Sequence, residues 1–217
     1  MAQKAFFYDM TRCTGCKTCV FACKDKNDLD LGKKFRTVYE IAGGETTRDE
    51  SGVINTTCIS YYISIACAHC DNPACVTACP TGAMQKEEET GIVRNNPETC
   101  IGCGACVEAC PYGAPIIDAD LGIARKCDGC RDYIEAGMTP VCVAACPALA
   151  LRFGDVEEMS ALGERISVAP LPDAEVTGPN IYVKPCRDAQ PAGSDAVAVI
   201  NPLEIELGWY EPFKDLV

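Results

Sequence analysis

The residues of this 217-residue chain with the clearest chemical potential are its eighteen cysteines, because their spacing is regular. Sixteen of them fall into four groups along the chain, and two are left over. Clustered thiols of this kind either bind metal as thiolates or form disulfides. The groups are Cys13, Cys16, Cys19 and Cys23; Cys67, Cys70, Cys75 and Cys79; Cys100, Cys103, Cys106 and Cys110; and Cys127, Cys130, Cys142 and Cys146, which leaves Cys58 and Cys186.

The spacing within the groups favours iron–sulfur clusters. The first and third groups read C-x2-C-x2-C-x3-C, the second reads C-x2-C-x4-C-x3-C, and a proline follows the last cysteine of groups two, three and four. In this motif three close thiolates hold three corners of one cluster, and the fourth cysteine ligates the neighbouring cluster. Two groups must therefore exchange their fourth cysteines.

The order of the groups predicts which ones are paired. Groups two and three are neighbours and form one pair, which leaves groups one and four as the other. Every thiolate is then used once, in four predicted [4Fe–4S] clusters. The first takes Cys13, Cys16, Cys19 and Cys146; the second takes Cys127, Cys130, Cys142 and Cys23; the third takes Cys67, Cys70, Cys75 and Cys110; and the fourth takes Cys100, Cys103, Cys106 and Cys79.

Zinc and disulfides are the alternatives to clusters. Four zinc sites would also use sixteen thiolates, but zinc ribbons need two C-x2-C pairs, and three of these groups carry C-x3-C-P. Disulfides belong to oxidising compartments, and the start MAQKAFFYDM has no apolar run long enough for a signal peptide. A binding module in which clusters or zinc ions are purely structural remains the alternative from another functional class.

Composition excludes several other functions. The formal net charge of −12 argues against nucleic acid, whose binders are basic. The longest apolar stretch, 139–151, contains two prolines and is shorter than a membrane span, so we expect no direct membrane insertion. One histidine and no nucleotide-binding loop predict a non-catalytic chain. We expect it to be made in the cytoplasm without an export signal of its own.

Short β-type segments precede and follow the groups and must position them, among them residues 4–9 before the first group and 59–65 before the second. The order strand, cysteine loop, short helix carrying the fourth cysteine, strand is the half-unit of a two-cluster ferredoxin. We predict an α+β fold with two pseudo-symmetric bacterial-ferredoxin-like modules, one from 1–57 and 118–165 and the other from 58–117. Residues 24–57 are predicted to be an inserted β-hairpin that turns at Gly43-Gly44. Residues 166–217 are predicted to be an extended C-terminal tail.

Nearly the whole chain resembles a known family. The matching runs are RCTGCKTCVFACKD at 12–25, SIACAHCDNPACVTACPTGAM at 64–84, CIGCGACVEACPYGAP at 100–115, KCDGC at 126–130, VCVAACPALAL at 141–151, VAPLPDA at 168–174 and PNIYVKP at 179–185. The chain thereby resembles the iron–sulfur subunits of the molybdopterin oxidoreductases, and among them the electron-transfer (B) subunits of the dimethyl sulfoxide reductases.

The resemblance implies a linear electron relay used in anaerobic respiration. A molybdopterin-containing catalytic subunit lies at one end, and often a quinol-oxidising membrane anchor at the other. Some relatives have tryptophan where this chain has Cys103 and hold a [3Fe–4S] cluster there, so four [4Fe–4S] clusters are expected here, with the fourth toward the quinol side. A partner with a twin-arginine signal is then expected to carry the chain to a membrane-associated complex, unless it stays cytoplasmic. A similar subunit of a hydrogenase or a formate dehydrogenase is the alternative.

Several other residues carry expectations. His69 is expected to be an outer-shell or surface residue, Tyr112 to pack beside a cluster, and the two leftover cysteines to be packed thiols. Trp209 and Tyr210 are candidates for anchoring a partner. Cations that flank the cysteines are expected either to offset cluster charge, to be solvated or to meet an acidic partner: Arg12, Lys17, Lys24, Arg125, Lys126 and Arg131.

Overall fold

The computed structural model describes residues 3–201, in which short strands and helices surround the cysteine groups. The strands in this range are β1 (Lys4–Asp9), β2 (Thr37–Gly43), β3 (Thr46–Arg48), β4 (Ile54–Thr56), β5 (Ile59–Ile65), β6 (Met84–Lys86), β7 (Val93–Asn95), β8 (Ile116–Asp118), β9 (Ile123–Arg125), β10 (Leu151–Asp155), β11 (Glu164–Arg165), β12 (Ile181–Lys184) and β13 (Val197–Val199). The helices are α1 (Thr18–Lys26), α2 (Ala74–Thr77), α3 (Ala105–Ala109), α4 (Arg131–Glu135), α5 (Val141–Ala144), α6 (Val156–Ser160) and a 3-10 turn at Ala174–Val176.

The strands pair in a cyclic order around the four cysteine groups. The strand after each group pairs antiparallel with the strand before the next group: β2 with β5, β6 with β7, and β8 with β9. After the fourth group β10 returns to pair antiparallel with β1, which precedes the first group. Since hairpins this short are marginal alone, they depend on packing against the cysteine loops.

The described part of the C-terminal segment is built into both larger sheets. β12 lies between β1 and β11 in the sheet order β10-β1-β12-β11 and runs parallel to β1. β13 pairs antiparallel with β2 at the edge of the sheet β13-β2-β5. The sequence Ile-Tyr-Val of β12 is typical of a strand and is buried. The prediction for Trp209 and Tyr210 lies outside the described residues.

The segment predicted as an inserted hairpin is paired differently. β2 pairs along its whole length with β5, from Thr37 opposite Ile65 to Gly43 opposite Ile59. Gly43 therefore belongs to a strand, and the chain turns at residues 49–53, between β3 and β4. β3 and β4 therefore form a separate, smaller hairpin, because β2 pairs with the β-branched strand β5 instead.

The largest buried core joins both larger sheets to the cysteine loops. Tyr8 and Ile166 come from one side, and Ile41 and Ile63 from the other. The Tyr8 hydroxyl donates to the Tyr62 carbonyl oxygen at 2.7 Å, so its burial leaves no donor unpaired. Within residues 3–201, no helix combines the length and the apolar character needed to cross a bilayer.

Candidate metal centres

Short helices fix the third cysteine of each group. Cys19 lies in α1, Cys75 in α2, Cys106 in α3 and Cys142 in α5. The helices were predicted to carry the fourth cysteine, which holds only for the first group, where α1 continues through Cys23. In the other groups the fourth cysteine lies one or two residues beyond the helix end. The reason is the following proline, which disfavours helical geometry in the residue before it.

Two partly enclosed cavities are each lined by four cysteines from two groups. In both, three cysteines come from one group and one comes from the group predicted to be its partner. The remaining lining is mostly small and apolar, which suits a compact inorganic group bound through thiolates. One cavity is lined by Cys13, Cys16, Cys19 and Cys146, the other by Cys67, Cys70, Cys75 and Cys110.

The other eight grouped cysteines also lie near one another in two sets. Burial raises the pKa of Cys106, and the charges of Cys100, Cys79 and Cys103 raise it further. Burial likewise raises the pKa of Cys23 to about 12, with contributions from the charges of Cys142 and Cys130. Burial and the charges of Cys23 and Cys142 also raise the pKa of Cys127. Charges change one another's pKa mainly at short range, so the thiols of each set must lie close together.

The four sets form a row. Cys19 of the first set and Cys142 of the second lie in one buried cluster, and Cys127 of the second and Cys67 of the third lie in another. The third and fourth sets meet in a small apolar cluster that contains Cys75 and Cys106.

The row is buried in the middle and exposed at its ends. Cys16 of the first set and Cys103 of the fourth set are exposed, whereas all four cysteines of the second set are buried. Three cysteines of the third set are buried as well.

The geometry fits a multi-iron group better than single ions. Within residues 3–201, no three His, Cys, Asp or Glu side chains are arranged to hold one metal ion. Tetrahedral zinc with Zn–S bonds of about 2.3 Å would need sulfurs within roughly 4 Å of one another. Four cysteines instead line a shared space in each cavity. Deprotonated thiols there would repel one another, and a positively charged iron–sulfur core offsets that repulsion.

Backbone N–H groups donate hydrogen bonds to several cysteine sulfurs. The fourth cysteines of groups two, three and four each accept such a bond, at 3.4, 3.5 and 3.3 Å, from Met84, Ala114 and Ala150. Cys100 and Cys127 accept similar bonds from Ala124 and Gly129. Gly15, Gly102, Gly104 and Gly129, the glycines of the loops, all have positive φ. Hydrogen bonds to sulfur are one determinant of cluster potential.

One of the predicted flanking cations contacts the sulfur of a grouped cysteine. The Lys126 ammonium is buried and donates to Cys67 Sγ at 3.3 Å, to the Cys127 carbonyl oxygen at 2.7 Å and to the Val93 carbonyl oxygen. The other cations are engaged elsewhere: Lys17 with Glu40, Lys24 with two carbonyl oxygens, Arg125 with Asp118, Arg131 with Glu135, and Arg12 with the Leu149 carbonyl oxygen.

Sequence reasoning missed Arg36, a second buried cation. Its guanidinium donates to the Ser64 hydroxyl at 3.1 Å, and that hydroxyl lies 3.3 Å from Cys19 Sγ. Burial lowers the pKa of Arg36, but the charges of Cys142, Cys19, Cys127 and Cys23 raise it above its usual value. Arg36 belongs to no cysteine motif, and the β2–β5 pairing brings it to this position, so no local signal could have found it.

His69 and Tyr112 are more buried than their positions in loops suggest. His69 is 1 % exposed, and its Nδ1 accepts the Val93 N–H at 3.0 Å. Burial raises the pKa of Cys67, but the nearby charge of Lys126 and hydrogen bonds from His69 outweigh burial and bring the pKa to about 5. Tyr112 packs beside the cavity of the third set, as predicted, and its hydroxyl lies 3.2 Å from Thr177 Oγ1.

Thr177 is another residue that sequence reasoning missed. Its hydroxyl is buried and donates to Cys70 Sγ at 3.2 Å. The two residues are 107 positions apart. Of the leftover cysteines, Cys186 packs partly buried against the core, whereas Cys58 is exposed. The prediction of a packed thiol was therefore wrong for Cys58.

Ferredoxin-like elements around closely set cysteines define an iron–sulfur electron-transfer protein, and comparison with known families agrees. Residues 58–156 match the family described as a 4Fe-4S dicluster domain, and residues 10–26 match a 4Fe-4S binding domain. The protein therefore carries [4Fe–4S] clusters.

Individual relatives narrow the class to a family. The sequence is 47% identical over 204 residues to the B subunit of anaerobic dimethyl sulfoxide reductase from Escherichia coli K12, covering 94% of this protein and 98% of the relative. It is 45% identical over 206 residues to the B subunit of the Haemophilus influenzae enzyme, covering 94% and 100%. It is 38% identical over 157 residues to the thiosulfate reductase electron transfer subunit PhsB of Salmonella typhi, covering 72% and 78%. The protein belongs to the family of anaerobic dimethyl sulfoxide reductase B subunits, and is an electron-transfer subunit rather than a catalytic one.

Proposed function

We propose that this chain holds four [4Fe–4S] clusters in a row and relays electrons between two partners that dock at opposite ends. Each bound cluster accepts and passes on single electrons. The first cluster is ligated by Cys13, Cys16, Cys19 and Cys146; the second by Cys127, Cys130, Cys142 and Cys23; the third by Cys67, Cys70, Cys75 and Cys110; and the fourth by Cys100, Cys103, Cys106 and Cys79.

The observation that carries this proposal is the exposure pattern of the row. A relay needs terminal sites that partners can approach and internal sites shielded from water. Cys16 and Cys103 are the exposed members of the first and fourth sets, and the second set is buried throughout. The two cavities support the two pseudo-symmetric modules, 1–57 with 118–165 and 58–117, because Cys146 of group four joins group one in one cavity and Cys110 of group three joins group two in the other.

The partners follow from the family. We propose a molybdopterin-containing catalytic subunit at one end and a quinol-oxidising membrane anchor at the other, with the fourth cluster toward the anchor. The relatives' names, dimethyl sulfoxide reductase and thiosulfate reductase, support a reductase as the catalytic partner. Exposed Ile101, two residues from Cys103, and exposed Leu149, three residues from Cys146, supply apolar surface near the two ends. We further propose assembly in the cytoplasm, followed by cytoplasmic retention or export with a twin-arginine-bearing partner.

Metal analysis of anaerobically purified protein tests the cluster count. Four clusters predict about sixteen irons and about as many sulfides per chain. Cys103→Ser should empty or convert one cluster and leave the other three, whereas Cys58→Ser, the matched control, should leave all four. Colourless protein loaded with zinc would refute the proposal.

Purification of the native complex tests the partners. An affinity-tagged chain, expressed anaerobically, should bring down a protein that contains molybdopterin. Reduced complex should then be reoxidised by a sulfoxide or thiosulfate, while the isolated chain should not. A pull-down that contains no molybdopterin would contradict the partner assignment without affecting the cluster count.

A further inference from the structure

Two buried cations occupy the first two junctions of the cysteine row. Arg36 is 3 % exposed and lies where the first and second sets meet, near Cys19 and Cys142. Lys126 is 6 % exposed and lies where the second and third sets meet, between the Cys67 sulfur and the Cys127 backbone. The third junction, between the third and fourth sets, is filled by apolar side chains that include Met84 and Val93.

Neither cation has an acidic partner within residues 3–201. The Lys126 ammonium uses all three of its protons on one sulfur and two carbonyl oxygens. Arg36 donates to Ser64, stacks over Phe6 at 5.2 Å, and keeps its Nε buried without a protein acceptor. Burying an unpaired cation is costly. The negative charge that compensates Arg36 and Lys126 must therefore come from the thiolates.

Cluster charge supplies that compensation. An oxidised [4Fe–4S] core of charge +2 with four thiolates carries a net charge of about −2, and one-electron reduction makes it more negative. A fixed cation nearby therefore stabilises the reduced form more than the oxidised form and raises the reduction potential. Because both cations are shielded from water, solvent screens their effect little.

We propose that Arg36 and Lys126 are junction cations, each shared by two successive clusters, and that they raise the potentials of those clusters pairwise. Arg36 acts on the first and second clusters, and Lys126 acts on the second and third. The second cluster is influenced by both and the fourth by neither. Both side chains act on the relay through their charge. This inference rests on the four-cluster assignment proposed above.

Redox titration of the holoprotein, followed by EPR, tests the pattern. Cys16→Ser, Cys130→Ser, Cys70→Ser and Cys103→Ser identify the signals of the first to fourth clusters. Arg36→Gln should lower the potentials of the first and second clusters only, and Lys126→Gln those of the second and third only. Arg36→Lys should restore most of the loss, since it keeps the charge. Arg131→Gln, which removes a cation next to Cys130 that is paired with Glu135, should shift no cluster.

The outcomes separate the inference from the assignment beneath it. Wild-type protein with fewer than four clusters contradicts the proposed function. If four clusters are present but all their potentials shift together, or none shifts in either glutamine variant, the junction cations are overturned and the proposed function stands. Failure of Arg36→Lys to restore the potentials has the same consequence. If Arg36→Gln does not assemble, Lys126→Gln carries the test by itself.

Discussion

Individual side chains tune the environment of single cysteines. Thr177, from the C-terminal segment, donates its hydroxyl to Cys70 Sγ, while Thr18 lies 3.4 Å from Cys16 Sγ. A hydrogen bond to a ligand sulfur stabilises the more negative, reduced cluster. The cysteine spacing predicts Cys70 and Cys16 as ligands, but it contains no information about a threonine more than a hundred residues away.

Thr177→Val should lower the potential of the third cluster alone. Valine keeps the shape of threonine but cannot donate, and losing about 1 kcal/mol of preference for the reduced form corresponds to roughly 40 mV for one electron. EPR-monitored redox titration measures the shift. Thr46→Val is the matched control, because Thr46 contacts Cys58, which is not a proposed ligand. An equal shift in both variants would contradict the assignment.

Cys58 should be the one rapidly alkylated cysteine of the assembled protein. It is exposed, and hydrogen bonds from Thr46 and Thr56 lower its pKa, which favours the reactive thiolate. Cys16 and Cys103 are equally exposed but should be protected by iron. Iodoacetamide labelling followed by peptide mass spectrometry measures this. Rapid labelling at Cys103 in iron-loaded protein would count against its role as a ligand.

At the scale of elements, sequence identified most strands and fewer of their pairings. The predicted strands at residues 4–9 and 59–65 match β1 and β5, because β1 contains three adjacent aromatic residues and β5 is a run of β-branched and aromatic residues. The pairing of β2 with β5 was missed because Gly43-Gly44 suggests a turn. The place of β12 was missed because its parallel partner, β1, lies at the other end of the chain. Such long-range pairing has no local signal.

Gly102→Ala should impair the fourth site more than Gly104→Ala. Both glycines have positive φ, so alanine costs about 1–3 kcal/mol of strain at either position. A Cβ at Gly102 would also collide with the Gly122 carbonyl oxygen at the turn between β8 and β9, whereas a Cβ at Gly104 meets nothing within 4 Å. Thermal stability and iron content of the two variants measure the difference. Equal losses would show that the contact with Gly122 is unimportant.

The molecule as a whole is organised around its metal sites. Cysteines of the first three sets take part in the largest buried core, so cluster and core stabilise each other. If iron were removed, burial would favour the neutral thiol at Cys19, Cys23 and Cys127, which would leave Arg36 in the interior with little counter-charge. Binding of metal is therefore coupled to folding.

Removing iron with a chelator and an oxidant should open the core to trypsin. Cleavage after Arg36 and Lys126, both buried, should appear only in the iron-free protein. Cleavage after Arg187, whose side chain is 93% exposed, should occur in both forms and serves as the control. Time-resolved peptide mapping measures the order of cleavage. Persistent protection of Arg36 after complete iron loss would show that the apo-fold is stable by itself.

Because β10 pairs with β1, the first and last cysteine groups can meet only late in synthesis of the chain. Cys13, Cys16 and Cys19 leave the ribosome early, but Cys146, which completes their cavity, follows about 130 residues later, roughly 7 to 27 seconds at ordinary translation rates. The third and fourth sets are complete once Cys110 has emerged. The chain is therefore expected to load iron first at the third and fourth sets, in the middle of the sequence, and last at the first set. Chains arrested so that Cys110 but not Cys127 has left the ribosome should contain iron for two sites rather than three or four.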